Sequence, residues 1–289
     1  MFSQLVNVFK LRIGALIAIT AIAGYVVTPG ADLPAWQIVA LGLLVLMSSA
    51  SAGAFNQFVE RDLDARMSRT CKRPFVTGAF TDNRLWLWGV SAMLLVSVVA
   101  AGWLFNLVAA FHIFMGAFTY AIVYTVWLKR CSVFNIVIGG LAGSFAVLGG
   151  AAAADPGLSP AAILLATVLF LWTPPHFWSL AIVLHRDYAA AKVPMLPVVV
   201  GDAAAARLIL VNTIILVAAS ITPFFYGLGW VYLSCAVVGG GYFILRNIEL
   251  VLQPTKEKAR VNFFASIIQL SLVLVGAIID VQLAGWGGV

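Results

Sequence analysis

Asn56, Glu60 and Asp64 recur at intervals of four residues in the segment AFNQFVERDLDARMSRTCKRPF. On an α-helix each step of four drifts by only about 40°, so the three side chains share one face over roughly 12 Å. Two carboxylates and an amide on one face repel one another until a cation joins them. Oxygen ligands without Cys or His favour a hard ion, and magnesium in particular binds one or two carboxylates together with a substrate phosphate. Asp62 falls on a different side of the helix and stays outside this ligand set. Just downstream stand Arg66, Arg69, Lys72 and Arg73. Arginine forks match phosphate oxygens bidentately. An acid face followed by a basic cluster therefore predicts a metal-assisted site for a polyanion; the competing reading is a solvated basic loop.

A second polar stretch lies in FLWTPPHFWSLAIVLHRDYAAAKVPMLPVVVG. Asp187 is expected to add a metal ligand from the facing side, with Arg186 and Lys192 holding phosphate. Tyr188 and Lys192, four apart, would share a face if this stretch is helical. Lys129 and Arg130 close an apolar segment and would complete a cationic rim, with Asn135 nearby. His176 sits in the apolar TPPHFW string, where paired prolines are expected to break the helix and free carbonyls beside it. His112, near the start of another apolar segment, reads more simply as an interfacial residue. Trp172, Phe177, Trp178, Tyr120 and Tyr124 read mostly as packing or lipid-facing aromatics, some of which could line an apolar chamber.

The elements that must position these residues follow from composition. Hydrophobic residues make up 63% of the 289 positions and charged residues 10%; the mean hydropathy is +1.04. Soluble domains carry about 25% charged residues, so the outer solvent of this chain is lipid. Backbone in lipid must satisfy its hydrogen bonds internally, and the long continuous apolar runs select helices over a barrel. Nine spans are expected, at 12–29, 36–56, 85–104, 107–127, 133–153, 159–183, 204–225, 229–246 and 262–283. The span at 229–246, with three consecutive glycines, is the weakest and could be re-entrant. All 17 Lys and Arg residues then fall on one side, which the positive-inside rule makes cytoplasmic. The N-terminus is expected inside and the C-terminus outside, in a bacterial-type inner membrane, with a single transmembrane domain over 1–289. The pI near 9.4 reports this topology and not nucleic-acid binding. Cys71, Cys131 and Cys235 form neither a disulfide framework nor a zinc spacing. No cleavable signal is expected at the N-terminus. The polar loops at about 57–84 and 184–203 each follow an even-numbered span, a hint of internal duplication.

A basic, metal-binding inner face beneath an apolar bundle fits a substrate with a diphosphate head and a hydrocarbon tail. The expected chemistry is ionisation of an allylic C–O bond in a water-poor chamber, followed by attack of an electron-rich acceptor on the carbocation.

The Asn56–Glu60–Asp64 string resembles the first acidic motif of the UbiA-type intramembrane prenyltransferases, which more often have Asp where Glu60 stands. NQFVERDLDARMSRTCKRP, YTVWLKRCSVFNIVIGG, LWTPPHFWSLA and DYAAAKVPMLPVV resemble, within that superfamily, the haem-farnesylating branch. The likeness runs through all the spans and is densest over 53–200. It implies an all-α nine-helix membrane bundle whose active cavity opens to the cytoplasm. It also implies transfer of farnesyl from farnesyl diphosphate to a vinyl group of haem B, with water quenching the resulting cation to give haem O. By the same match, Asn56, Glu60, Asp64 and Asp187 would bind Mg²⁺ with the diphosphate. Arg66, Arg69, Arg73, Lys129 and Arg130 would hold diphosphate oxygens or haem propionates, joined by Arg186 and Lys192. His176, and secondarily His112, would contact haem. A haem A synthase or an oxidase assembly factor is an implied partner, and nucleic acid is not. Two departures stand out. The second motif offers only Asp187 where the superfamily usually carries two acids, with Leu184 and Tyr188 at the aligned positions, which puts a second magnesium in doubt. Phe145–Gly150 replaces an expected Pro-Pro and Trp, which bears on the acceptor pocket. Prenylation of an aromatic acid or quinone precursor is the alternative within the same chemistry. A transporter is the alternative outside it, disfavoured because the acids cluster at one interface and not at the midplane.

Overall fold

A computed structural model describes residues 2–81 and 83–286. Among them, eight helices are long and apolar enough to cross a membrane, and a shorter apolar helix, Leu11–Val26, makes the ninth. In chain order they are α1 (Leu11–Val26), α2 (Ala35–Val59), α3 (Leu85–Leu104), α4 (Leu107–Cys131), α5 (Asn135–Ala154), α6 (Pro160–Val183), α7 (Asp202–Tyr226), α8 (Trp230–Leu252) and α9 (Lys256–Trp286). The expected spans fall on these nine helices. The sixteen-residue α1 is shorter than the 12–29 expected, and α9 begins six residues earlier than 262. The span thought weakest is an ordinary helix. Gly239 lies against Gln269 and Leu272 of α9, and Gly240 against Val217 of α7, so the glycines serve close packing and not a re-entrant turn.

Helix ends are set by local chemistry. The side chain of Asn106 accepts from the Ala109 amide to open α4, and Ser159 does the same for α6 through Ala162, ahead of Pro160. The start of α8 is capped from another helix: Asp280 of α9 accepts from the Gly229, Val231 and Tyr232 amides. In lipid such amides have no water to turn to. The helix does not break at Pro174–Pro175, contrary to expectation. Helix α6 runs through both prolines, with the Thr173 hydroxyl bonded to the Leu169 carbonyl and Ser179 to that of Pro175. Neighbouring helices and such hydroxyls make Pro tolerable in a membrane helix.

Helices α1–α5 pack as one group and α6–α9 as another, joined where α5 meets α6 and where α1 meets α9. Small residues let α1 and α5 approach closely. A Cβ added at Gly150 would sit 1.7 Å from the Ala21 carbonyl oxygen, well inside contact distance. Gly150→Ala is expected to destabilise the bundle by about 3 kcal/mol, the upper range for overpacking. Gly241→Ala, where an added methyl meets nothing within 4 Å, is expected to be neutral or slightly stabilising. Thermal unfolding of both variants in one detergent checks this; equal midpoints would refute the close-packing argument.

On the side where the basic residues collect, the segment after α2 holds two short helices, Arg61–Asp64 and Pro74–Thr77. The segment after α6 holds two more, His185–Ala190 and Leu196–Val200. Leu63 and Met67 from the first pack with Tyr188, Ala191, Val193 and Met195 from the second, over Ile136 and Ala181. The two loops therefore form one cap over the bundle's end.

Candidate active site

The three-residue face predicted from spacing is present. The Glu60 amide bonds to the Asn56 carbonyl at 2.9 Å and the Asp64 amide to the Glu60 carbonyl at 2.8 Å. Helical register thus carries across the end of α2 into Arg61–Asp64, although Glu60 itself has φ −88° and ψ 13°. Asn56, Glu60 and Asp64 are 2%, 1% and 2% exposed, whereas Asp62 points outward. They do not splay into open water.

Each of the three is bonded to a cation. Lys10 donates to Asn56 Oδ1 at 2.6 Å, Lys129 to Glu60 Oε2 at 2.5 Å, and Arg73 Nη1 to both Asp64 oxygens at 2.9 and 2.7 Å. Glu60 Oε1 is buried with no hydrogen-bond partner. An unsatisfied carboxylate oxygen in a buried site has the chemistry of an open ligand position for a hard cation. Among the described residues no three His, Cys, Asp or Glu side chains group as a metal site.

Lys10, Tyr120, Tyr124 and Thr125 were not singled out for this site by sequence. Lys10 lies between the short helix Phe2–Val8 and α1, in the left-handed region at φ 48°. Gln57 anchors this turn by donating to the Asn7 carbonyl at 2.7 Å, and Lys10 reaches Tyr120 Oη at 2.8 Å. Burial, with the Arg73 charge next in size, pushes the Lys10 ammonium down to about 7. The tyrosines come from a π-helical stretch of α4, Thr119–Leu128, a form that recurs at functional positions. Thr125 bonds back to the Tyr120 carbonyl at 2.8 Å and accepts from Asn56 Nδ2 at 2.9 Å. Tyr120 and Tyr124 stack at 5.6 Å, with Lys10 over the first ring and Lys129 over the second. They form a wall of the site and are not simply lipid-facing.

The other expected residues are distributed differently. Arg130 forks onto Asp62 with two 2.8 Å bonds on the outer side, away from the diphosphate role expected of it. This pairing holds the Asp62 carboxyl below its usual range. Asp187 accepts from the Ser68 hydroxyl at 2.8 and 2.9 Å and from the Arg69 amide at 3.3 Å. It thus ties the two loops together and is not bonded to the Asn56–Glu60–Asp64 face. Arg66, Arg69 and Arg186 are exposed on this cap. Tyr188 and Lys192 do not share a face, because the helix ends at Ala190 and Lys192 takes the left-handed terminating position at φ 55°. Tyr188 points inward, and burial pushes its phenol up.

His176 is stacked between Trp172 and Phe263. His112 bonds to the Val108 carbonyl on its own helix and packs against Phe111 and Phe145. The two histidines share none of these partners. His112 is a packing residue of the α4–α5 contact. A cavity of about 440 Å³ is lined by Phe9, Trp86, Val90 and Met93 among others, and one of about 210 Å³ by Tyr25, Thr28, Asp32 and Gln282 among others. Neither is lined by the three site residues.

The model of the UbiA prenyltransferase family matches residues 17–270. The chain is 54% identical over 281 residues to protoheme IX farnesyltransferase 2 of Paramagnetospirillum magneticum, covering 97% of this chain and 98% of that one. It is 38% identical to protoheme IX farnesyltransferase 1 of Cenarchaeum symbiosum, covering 96% and 95%. Among solved structures, a UbiA homologue of Archaeoglobus fulgidus bound to GPP and Mg²⁺ superposes with TM-score 0.71 at 15% identity, covering 95% of this chain and 99% of that one. A UbiA homologue of Aeropyrum pernix gives TM-score 0.74 at 20% identity, covering 93% and 98%. At these identities the structures speak for the fold.

Proposed function

Because this chain belongs to the UbiA prenyltransferase family, we propose that it transfers farnesyl from farnesyl diphosphate to a vinyl group of haem B. Water adds in the same reaction, giving haem O and diphosphate. The observation that carries the prenyl-transfer reading is the buried Asn56–Glu60–Asp64 face roofed by Lys10, Arg73 and Lys129. Its relatives named protoheme IX farnesyltransferase support haem as the acceptor.

The residues present fit magnesium, by the unpartnered Glu60 Oε1 and the oxygen-only donor set. Asn56, Glu60 and Asp64 would hold it, and it would supply positive charge to the departing diphosphate. Lys10 turns from the Asn56 amide oxygen, and Lys129 and Arg73 from their acids, to diphosphate oxygens when the substrate enters. The allylic C–O bond breaks and its electron pair leaves with the diphosphate. The faces of Tyr120 and Tyr124 line the chamber and favour positive charge on carbon. The vinyl group of haem donates its π pair to the allylic carbon, leaving a cation beside the porphyrin. Water adds to that cation and loses a proton, which completes the hydroxyethylfarnesyl group. Asp187 keeps the loops docked through Ser68 and so excludes bulk water from the first cation.

The clustering of basic residues at one end supports a site at the cytoplasmic face of a bacterial-type inner membrane, N-terminus inside. Purified protein given farnesyl diphosphate with either haem B or an aromatic acid is expected to yield a product of haem O mass. Product from the aromatic acid alone would overturn the acceptor. His176→Ala is expected to lower turnover on haem by about 100-fold while leaving farnesyl diphosphate affinity unchanged, since its mutation touches only the acceptor side. Equal loss on both would remove His176 from the acceptor site.

A further inference from the structure

His176 sits between Trp172, at a ring separation of 4.1 Å, and Phe263, at 4.4 Å, both nearly parallel to it. Phe177 stands edge-on at 5.0 Å. Its Nδ1 is 2.7 Å from Ser266 Oγ, and that hydroxyl is 2.6 Å from the Phe263 carbonyl oxygen. A serine hydroxyl has one hydrogen and a carbonyl has none. The Ser266 hydrogen therefore goes to Phe263, and the hydrogen between Ser266 and the imidazole belongs to Nδ1. The neutral ring then carries its free lone pair on Nε2. The Ser266 carbonyl in turn accepts from Trp172 Nε1 at 2.7 Å, so one residue of α9 ties down the imidazole and one of the two rings that sandwich it. The Phe263 carbonyl also stands within reach of the imidazole; among the described residues Nδ1 has the Ser266 hydroxyl, and Nε2 is not among the buried atoms left without a partner. His176 as a whole keeps 8% exposure.

We propose that Ser266 is a positioning residue that holds His176 as the Nδ1–H tautomer, so that Nε2 donates its lone pair to the iron of bound haem; this rests on the haem reading above. Metal-ligating histidines characteristically give their other N–H to an oxygen partner, which sets the tautomer and the ring orientation. A proton-accepting role is disfavoured by the surroundings. The contacts of the ring are Trp172, Phe177, Phe263 and Ser266, with no carboxylate among them to balance an imidazolium. Coordination to iron requires no charge on the ring, and the flat aromatic faces of the sandwich fix the direction of the Nε2 lone pair.

The test uses the full chain in lipid nanodiscs with ¹⁵N-labelled histidine. The chain has three histidines, and His176→Ala assigns the resonances of the missing one. Protonated Nδ1 and unprotonated Nε2 at His176 are expected in the wild type; the reverse assignment overturns the proposal without any Ser266 variant having to fold. Ferric haem titrated without farnesyl diphosphate is expected to give a histidine-ligated Soret band. The band should be lost in His176→Ala and recovered with added imidazole. Ser266→Ala is expected to weaken haem binding about tenfold, and Ser266→Thr to restore it. A spectrum identical in wild type and His176→Ala overturns iron ligation, and Ser266→Ala matching wild type in tautomer and affinity overturns the positioning role. Haem O formation by the same wild-type preparation keeps these failures separate from failure of the reaction itself.

Discussion

Asp64→Ala is expected to release diphosphate at least about 1,000-fold more slowly than the wild-type chain. Removing one preorganised charge-stabilising group costs an enzyme roughly 100- to 1,000-fold, and Asp64 has two such tasks. It is an oxygen donor of the proposed magnesium site, and until the diphosphate takes the guanidinium it holds Arg73 beside that site through both carboxylate oxygens. The same change leaves Arg73 without its partner. Deleting one member of a buried ion pair destabilises by about 3–5 kcal/mol, but the Arg73 side chain is 17% exposed and has a route to solvent, so the loss should fall below that range. Asp64→Asn, which keeps the shape and removes the charge, separates the two effects. It should unfold near the wild-type temperature and still lose most of its activity. Diphosphate release measured alongside thermal unfolding decides the matter. Near-wild-type turnover in either variant would remove Asp64 from the reaction.

The spacing of Asn56, Glu60 and Asp64 was enough to place them on one face because helical periodicity is local. The end of α2 bends at Glu60, yet the hydrogen bonds from Glu60 to Asn56 and from Asp64 to Glu60 preserve the register on which the reading relied. The eight membrane-length helices, and the shorter Leu11–Val26, were legible for a similar reason: lipid demands long uninterrupted apolar runs, and their lengths vary little. What could not be read locally was which cation meets which acid. Lys10 looked like one more basic residue obeying the positive-inside rule. A left-handed turn between two helices and the anchoring of Asn7 by Gln57 put its ammonium on Asn56, 46 positions away. Arg130 was grouped with Lys129 by adjacency. Neighbours on a helix diverge by about 100°, so Lys129 turns in to Glu60 while Arg130 turns out to Asp62.

The second loop shows the limit from the other side. Asp187 was read as a metal ligand from its place in the facing polar loop and the resemblance to a second acidic motif, since an acid in a polar loop has no local signal for its partner. The structure spends it on Ser68 and the Arg69 amide. That contact explains why Leu63, Met67, Tyr188 and Met195 can share a small apolar core above the site. The π-helical stretch of α4 left no mark in the sequence either. Tyr120, Tyr124 and Thr125 lie in that stretch and Lys129 directly follows it; Thr125 meets Asn56 and Lys129 meets Glu60.

Stripping divalent cations from the protein is expected to abolish diphosphate release, and added Mg²⁺ to restore it. The argument rests on Glu60. One of its oxygens is held by Lys129 at 2.5 Å, and the other is buried with no partner. A buried unsatisfied carboxylate oxygen costs roughly 1–3 kcal/mol or more, which a bound hard cation would recover. Glu60→Gln keeps a carbonyl oxygen but loses the charge, so it should raise the Mg²⁺ concentration for half-maximal rate by about 10- to 100-fold and slow turnover at saturation. Lys129 is 11% exposed at its side chain and would be left facing an amide, so a modest fall in thermal stability should accompany the change. A magnesium titration of wild type and Glu60→Gln, read as diphosphate released per minute, separates the two effects, because lost stability alone would lower the active fraction without shifting the half-saturation point. Full activity in chelator would sink the metal site. No diphosphate release under any condition would sink the prenyl-transfer reading and return the transporter alternative to the front.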